Sequence, residues 1–157
     1  MTIAEFDHLD KESKRKLLYQ CCSSAAWVEK MLTIPPAEDL IDLFEDAEEK
    51  WYECKETDWK EAFSNAKSAE EFSSTLADEQ RLSTSAPGVL LSLADLKNAY
   101  EKKFGYVYVV ADAGGSPEET LGMVRARLSN KPDEEIKIAM EEQNKITRLR
   151  LERLFQS

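Results

Sequence analysis

One run of this chain reads as a β-strand: Tyr106-Val107-Tyr108-Val109-Val110, β-branched and aromatic without interruption. No other stretch of the 157 residues has that character. A strand needs a neighbour to pair its backbone donors and acceptors, so a single extended segment cannot make a sheet. The fold class is therefore all-α, an irregular bundle of about eight helices with one short extended segment near 106–110.

Helical spacing accounts for most of the rest. Asp10 can cap a helix over Ser13–Cys22, with Leu17, Leu18 and Cys21 on one face. Ala25–Leu32 carries Trp27, Val28 and Met31, and Pro35-Pro36 stops it. Ala37–Cys54 is strongly amphipathic, with Leu40, Leu43, Phe44, Ala47 and Trp51 on one stripe. Thr57 or Asp58 caps a short helix bearing Trp59, Ala62 and Phe63. The pattern lapses through Ser64-Asn65-Ala66-Lys67 and restarts at Ser68-Ala69-Glu70-Glu71, toward Gln80. Val89–Phe104 follows Pro87-Gly88 and ends at Gly105, a helix-terminating glycine. Ser116-Pro117-Glu118-Glu119 is a capping box that opens a helix to near Asn130. Pro132-Asp133-Glu134 opens the last one, to about Phe155, with Ile136, Ala139, Met140, Gln143, Ile146, Leu149 and Leu154 in period.

The length fits a single domain, 1–157, with a sizeable core. Only five glycines and five prolines argue against a turn-rich sandwich or barrel. A net charge of −10 repels phosphate backbones, which excludes nucleic acid as a natural partner. No apolar run is long enough to span a membrane, and the mixed, charged opening residues are not a signal peptide. Three cysteines, with Cys21 and Cys22 adjacent, do not form a secreted disulfide framework. That usage and the non-peroxisomal ending Phe155-Gln156-Ser157 point to the cytoplasm. One histidine, His8, leaves too few ligands for a zinc site, so no metal is expected.

Four features could carry chemistry. Tyr106–Val110 followed by Ala113-Gly114-Gly115-Ser116 and a helix resembles a phosphate-binding turn, yet both glycine-rich nucleotide signatures are absent. A well-capped loop explains it as well. Cys21-Cys22 could be a reactive pair, but buried helical cysteines are commoner and the only imidazole is His8. Asp78-Glu79-Gln80 sets a carboxylate beside a carboxamide, which is either a receptor for a polar ring or a solvated helix end. Arg148, Arg150 and Arg153 offer guanidinium forks for a carboxylate. Arg148 and Arg150 cannot share a helix face, and Arg150 sits between Leu149 and Leu151, toward packed surface.

Cys21-Cys22-Ser23-Ser24-Ala25-Ala26-Trp27-Val28-Glu29-Lys30-Met31 resembles the CC-x-S-x-x-W-x-x-x-M opening of the OHCU decarboxylases. Trp51, Trp59-Lys60-Glu61-Ala62-Phe63 and the Glu79-Gln80 pair follow in that family's order. Asn98-Ala99-Tyr100 and Lys103-Phe104-Gly105-Tyr106 match more loosely. Arg127-Leu128-Ser129-Asn130, Glu135, Ala139 and Lys145-Ile146-Thr147-Arg148-Leu149-Arg150-Leu151 match best. The family acts on 2-oxo-4-hydroxy-4-carboxy-5-ureidoimidazoline (OHCU), an intermediate between urate and allantoin. The resemblance implies an all-α homodimer without cofactor or metal and with a small-molecule ligand of ureidoimidazoline type. It implies ligand contacts from Glu79, Gln80 and Arg150, with backbone contributions from Tyr108 and Val110.

The departure from the family matters as much as the match. The family's proton-transfer histidine stands in an H-P-x-I-G-D motif three residues after Ala-Phe. Here Ala62-Phe63 is followed by Ser64-Asn65-Ala66-Lys67-Ser68-Ala69, and Ala66 holds the histidine position. Whether by substitution or deletion, the proline, glycine and aspartate are gone too. Leu76 stands where a serine often precedes the Glu-Gln pair. Glu79 could take over the proton exchange if burial raises its pKa, and His8 could swing in, although it sits on an N-terminus expected to be mobile. Two readings stay open: a decarboxylase with a remodelled centre, and a silent paralogue that binds a small ligand or a protein partner.

Overall fold

The computed structural model describes residues 1–73, 87–111 and 116–155. Among these residues there are eight helices and no strand. They are α1 (Ile3–Asp7), α2 (Lys11–Cys21), α3 (Ala25–Leu32), α4 (Leu40–Glu53), α5 (Glu56–Ser73), α6 (Pro87–Phe104), α7 (Pro117–Leu128) and α8 (Pro132–Leu154). Residues 107–110 leave the helix and take no sheet partner. No helix is long and apolar enough to cross a membrane, among the described residues.

Three ends are set by the expected residues Asp10, Ser116 and Gly105. Asp10 accepts from the Ser13 amide and Ser116 from the Glu119 amide, each occupying an otherwise orphaned first-turn donor. Gly105 has φ +83°, a left-handed value that an L side chain adopts only under strain. Three expectations need correction. The fourth helix begins at Leu40, not Ala37, because Asp39 is its cap and accepts from the Asp42 amide at 2.8 Å. Neither Thr57 nor Asp58 is the cap of α5: Asp58 lies inside the first turn and reaches back to the Lys55 amide at 3.0 Å. The lapse at 64–69 does not break the helix either, and α5 runs unbroken from Glu56 to Ser73. That stretch contains neither proline nor glycine, and alanine and lysine propagate a helix well.

The chain divides into two compact units. The first joins Met1–Ala62 to Glu141–Ser157. Its core holds Leu18, Cys22, Trp27, Val28, Leu43, Trp51 and Leu151, all under 5% exposed. Two indoles are pinned as well as packed: Trp27 Nε1 donates to the Ala47 carbonyl and Trp59 Nε1 to the Trp51 carbonyl, both at 3.0 Å. Such bonds spare a buried N–H its desolvation cost. On α8 the buried stripe ends at Leu151 (1% exposed), whereas Leu149, expected in the core, is 47% exposed. Between Ile146 and Leu151 the stripe includes Thr147, which is 4% exposed.

The second unit is the contiguous span Phe63–Met140. Its core is aromatic. Tyr100 packs against Phe104, Tyr106 and Tyr108 with ring centroids 4.6, 6.0 and 5.4 Å away, and Phe63 lies 5.0 Å from Tyr106. Val109, Val124, Ile136 and Ala139 fill the space around them.

Candidate functional site

Arg150 lies on α8 in the first unit and is half-buried. Its Nη1 donates to the carbonyl of Cys21, the last residue of α2, at 3.2 Å. A helix C-terminus presents unpaired carbonyls and partial negative charge, so a cation is well placed there. The other two arginines differ. Arg148 is exposed, stacks over the Phe44 ring at 5.0 Å and faces Glu152 at 3.6 Å. Arg153 is exposed. Of the three guanidinium groups, Arg150 alone is tied to buried backbone in this way.

Tyr108 and Val110 lie in the second unit, in the unpaired stretch after α6. A largely buried ionic network holds that stretch. Arg127 Nη1 donates to the Val109 carbonyl at 2.6 Å, and the guanidinium lies 4.4 Å from the Tyr108 ring centroid. Arg127 Nε also donates to Glu135 at 2.7 Å, and Glu135 is 0% exposed. The same carboxylate accepts from the Tyr100 hydroxyl at 2.5 Å and from Asn130 Nδ2 at 3.0 Å. Burial, and then the bond to Glu135, drives the Tyr100 pKa far upward, so the phenol stays protonated. For Arg127, burial opposes the charge, but Tyr100 and Glu135 outweigh it and hold the pKa above its ordinary value.

Sequence reasoning saw Arg127, Asn130 and Glu135 only as matching letters and gave them no role. The available signal was a pair of opposite charges inside otherwise apolar helical stripes, since Glu135 precedes Ile136 and Arg127 lies three positions after Val124.

Glu79, Gln80 and Leu76 lie outside the described residues. Ala66 is in the middle of α5. His8 caps the C-terminus of α1, where its Nδ1 donates to the Ala4 carbonyl at 2.7 Å, so it is tied to the end of a short helix and not on a loose tail. A cavity of about 110 Å³ in the first unit is lined by Phe6, Lys14, Leu18, Met31, Pro35 and Leu43, and no sequence-derived site residue reaches it. Among the described residues, no group of three His, Cys, Asp or Glu could hold a metal ion.

The thiols are buried and unbridged. Burial pushes Cys21 up to about 11, Cys22 to about 12 and Cys54 to about 11, which removes the thiolate a nucleophile needs. The unfolded chain releases these protons near pH 8.5, while the folded chain keeps them. Their stabilising contribution is therefore complete below about pH 8.5 and is lost as pH rises through the folded values. We expect urea midpoints to fall steadily from pH 9 to pH 11. All three thiols should resist Ellman's reagent at pH 8 until denaturant is added. A fast-reacting native cysteine would refute that burial.

Most of the chain matches known proteins. The family model described as OHCU decarboxylase matches residues 7–152. The uric acid degradation bifunctional protein TTL of Arabidopsis thaliana is 32% identical, over 86% of this chain and 45% of its own. The chain thus spans less than half the length of that curated relative. A solved OHCU decarboxylase, crystallised in the presence of (S)-allantoin, superposes with a TM-score of 0.75 at 28% identity, covering 95% of this chain and all of that one. A solved (S)-allantoin synthase has the same fold, with a TM-score of 0.72 at 17% identity, over 98% of this chain and 54% of that one. The family model covers all but a few residues at either end, and the chain belongs to the OHCU decarboxylase family.

Proposed function

We propose that this chain binds OHCU in urate degradation and decarboxylates it slowly. One observation carries the reading: the family match runs through residues 7–152 and includes Arg150, whose guanidinium is anchored at a helix end. In this reading Arg150 meets an anionic oxygen of the ligand. The Tyr108 and Val110 backbone groups line the ring, Gln80 pairs with the ureido group, and Glu79 exchanges the proton. Loss of CO₂ breaks the bond from ring carbon to carboxylate, and its electron pair moves into the ring. A proton must then reach that carbon from one face. A histidine does this near neutral pH, and losing such a group typically costs about 10²–10⁴-fold in rate. No cofactor or metal is required. The ligand arrives as a small molecule, and the presence of (S)-allantoin in the crystals of the solved OHCU decarboxylase supports that class. The family resemblance further supports one domain, a homodimer and a cytoplasmic setting.

The test generates OHCU in situ from urate with the upstream enzymes, adds this protein, and follows allantoin by circular dichroism. We expect one-handed allantoin to form above the spontaneous rate, about 10²–10⁴-fold more slowly than with a histidine-bearing family member. Racemate at the background rate would reject the catalytic reading. It would favour the second one, a silent paralogue that binds a ligand or partner, for which the lost H-P-x-I-G-D motif is the specific observation.

A further inference from the structure

The sharp link between α2 and α3 spans only Cys22-Ser23-Ser24, and several elements of the first unit converge on it. On the α2 side, Arg150 Nη1 takes the Cys21 carbonyl at 3.2 Å and the Ser23 hydroxyl takes the Tyr19 carbonyl at 3.0 Å. On the α3 side, the Ser24 hydroxyl accepts from the Trp27 amide at 3.4 Å and already serves as the cap. A second acceptor then reaches in from α5: Glu61 Oε1 takes the amide of Ala25, the first residue of α3, at 2.6 Å.

The polarity of the two helix ends explains the arrangement. The C-terminus of α2 carries partial negative charge and faces a guanidinium, while the N-terminus of α3 carries partial positive charge and faces a carboxylate. The two ends are three residues apart, so fixing one constrains the other. Ser24 alone would suffice to start α3, so a carboxylate on Ala25 adds restraint to the turn and not a missing cap.

We infer that Glu61 is a positioning residue for Arg150: by holding the Ala25 amide it fixes the α2–α3 turn, and with it the Cys21 carbonyl that aims the guanidinium. This inference rests on the reading that Arg150 contacts the ligand. Glu61 itself is exposed and touches no proposed ligand atom in that reading.

Two readouts separate the inference from the reading beneath it. The first needs no ligand: the Arg150 Nε–Hε resonance, assigned by its loss in R150K. It should shift or broaden in E61A and be restored in E61Q, whose amide oxygen can still accept. The second is (S)-allantoin affinity by calorimetry. It should weaken roughly 3–10-fold in E61A, return in E61Q, and be lost in R150Q. Ala25→Pro gives an independent check. Proline is well tolerated at the first helical position, and Ser24, with φ −115° and ψ 117°, already has the backbone that precedes proline. This variant removes the amide while leaving the Glu61 charge, so adding E61A to it should change neither readout further.

Unchanged allantoin affinity in R150Q would overturn the ligand reading alone. An E61A resonance identical to wild type would overturn the positioning role, whatever allantoin does. So would an E61A effect of equal size in the A25P background. A lowered melting temperature with resonance and affinity intact would mark Glu61 as a structural cap, and would also overturn the inference.

Discussion

Arg127→Met should lower the unfolding free energy by about 3–5 kcal/mol. The wild-type pair has already met its desolvation cost, because each charge has partners. Glu135 is 0% exposed and accepts from Arg127, Tyr100 and Asn130. Without the guanidinium, a carboxylate remains in an apolar aromatic core, with only a phenol and an amide to neutralise it. Methionine fills most of the volume, so the loss reports charge and hydrogen bonding more than cavity. Val109 also loses its donor and the 107–110 stretch its tether. A second change separates these effects. In the Arg127→Met background, Glu135→Gln should regain a good part of the stability, since a buried amide costs less than a buried carboxylate. Urea unfolding followed at 222 nm checks both. A loss under about 1 kcal/mol for Arg127→Met would show that no uncompensated buried charge is left at Glu135 and would overturn this account.

The second expected result concerns rate. Installing a histidine alone, A66H, should raise OHCU turnover less than about tenfold. Replacing residues 66–71 by His-Pro-Arg-Ile-Gly-Asp should raise it by about 10²–10⁴-fold. The difference lies in the backbone. Residues 64–69 continue α5 without a break, because they contain nothing that stops a helix. The family motif has both a proline and a glycine, which terminate or kink one. A histidine on an uninterrupted helix and one on a helix-breaking turn project differently, and proton transfer requires hydrogen-bond reach. Single-turnover kinetics under the conditions of the allantoin assay would measure both variants. Equal rates for A66H and the full graft would show that the helix break is irrelevant to placement.

Much of the architecture was legible because caps and periodicity are local. Asp10, Ser116 and Gly105 each act within a few residues, and each does what its chemistry requires. The misses came where tertiary contacts decide. Nothing local separates Leu149 from Leu151; packing of α8 chooses between them. The continuity of α5 was hidden because small polar residues read as a loop, although none of them breaks a helix. The site was less legible than the fold. Arg150 stood out by its flanking leucines, and its link to Cys21 is 129 positions away in sequence. The buried Glu135 network joins three helices and one unpaired stretch, so single-element patterns could not reveal it.

The first unit takes its residues from both sides of the second, which is one uninterrupted span. Folding order follows from that arrangement. The second unit can form as soon as its own residues are available. The first must wait for residues 141–157, which supply Leu151 to its core and Arg150 to the Cys21 carbonyl. Closing the first unit across an unstructured loop of roughly 80 residues would cost about 4 kcal/mol of chain entropy. If the intervening span has already collapsed, most of that cost has been met. Productive refolding should therefore proceed from the middle of the chain outward. The aggregation-prone interval is the one in which the tryptophan-bearing helices still await the final two-thirds of α8.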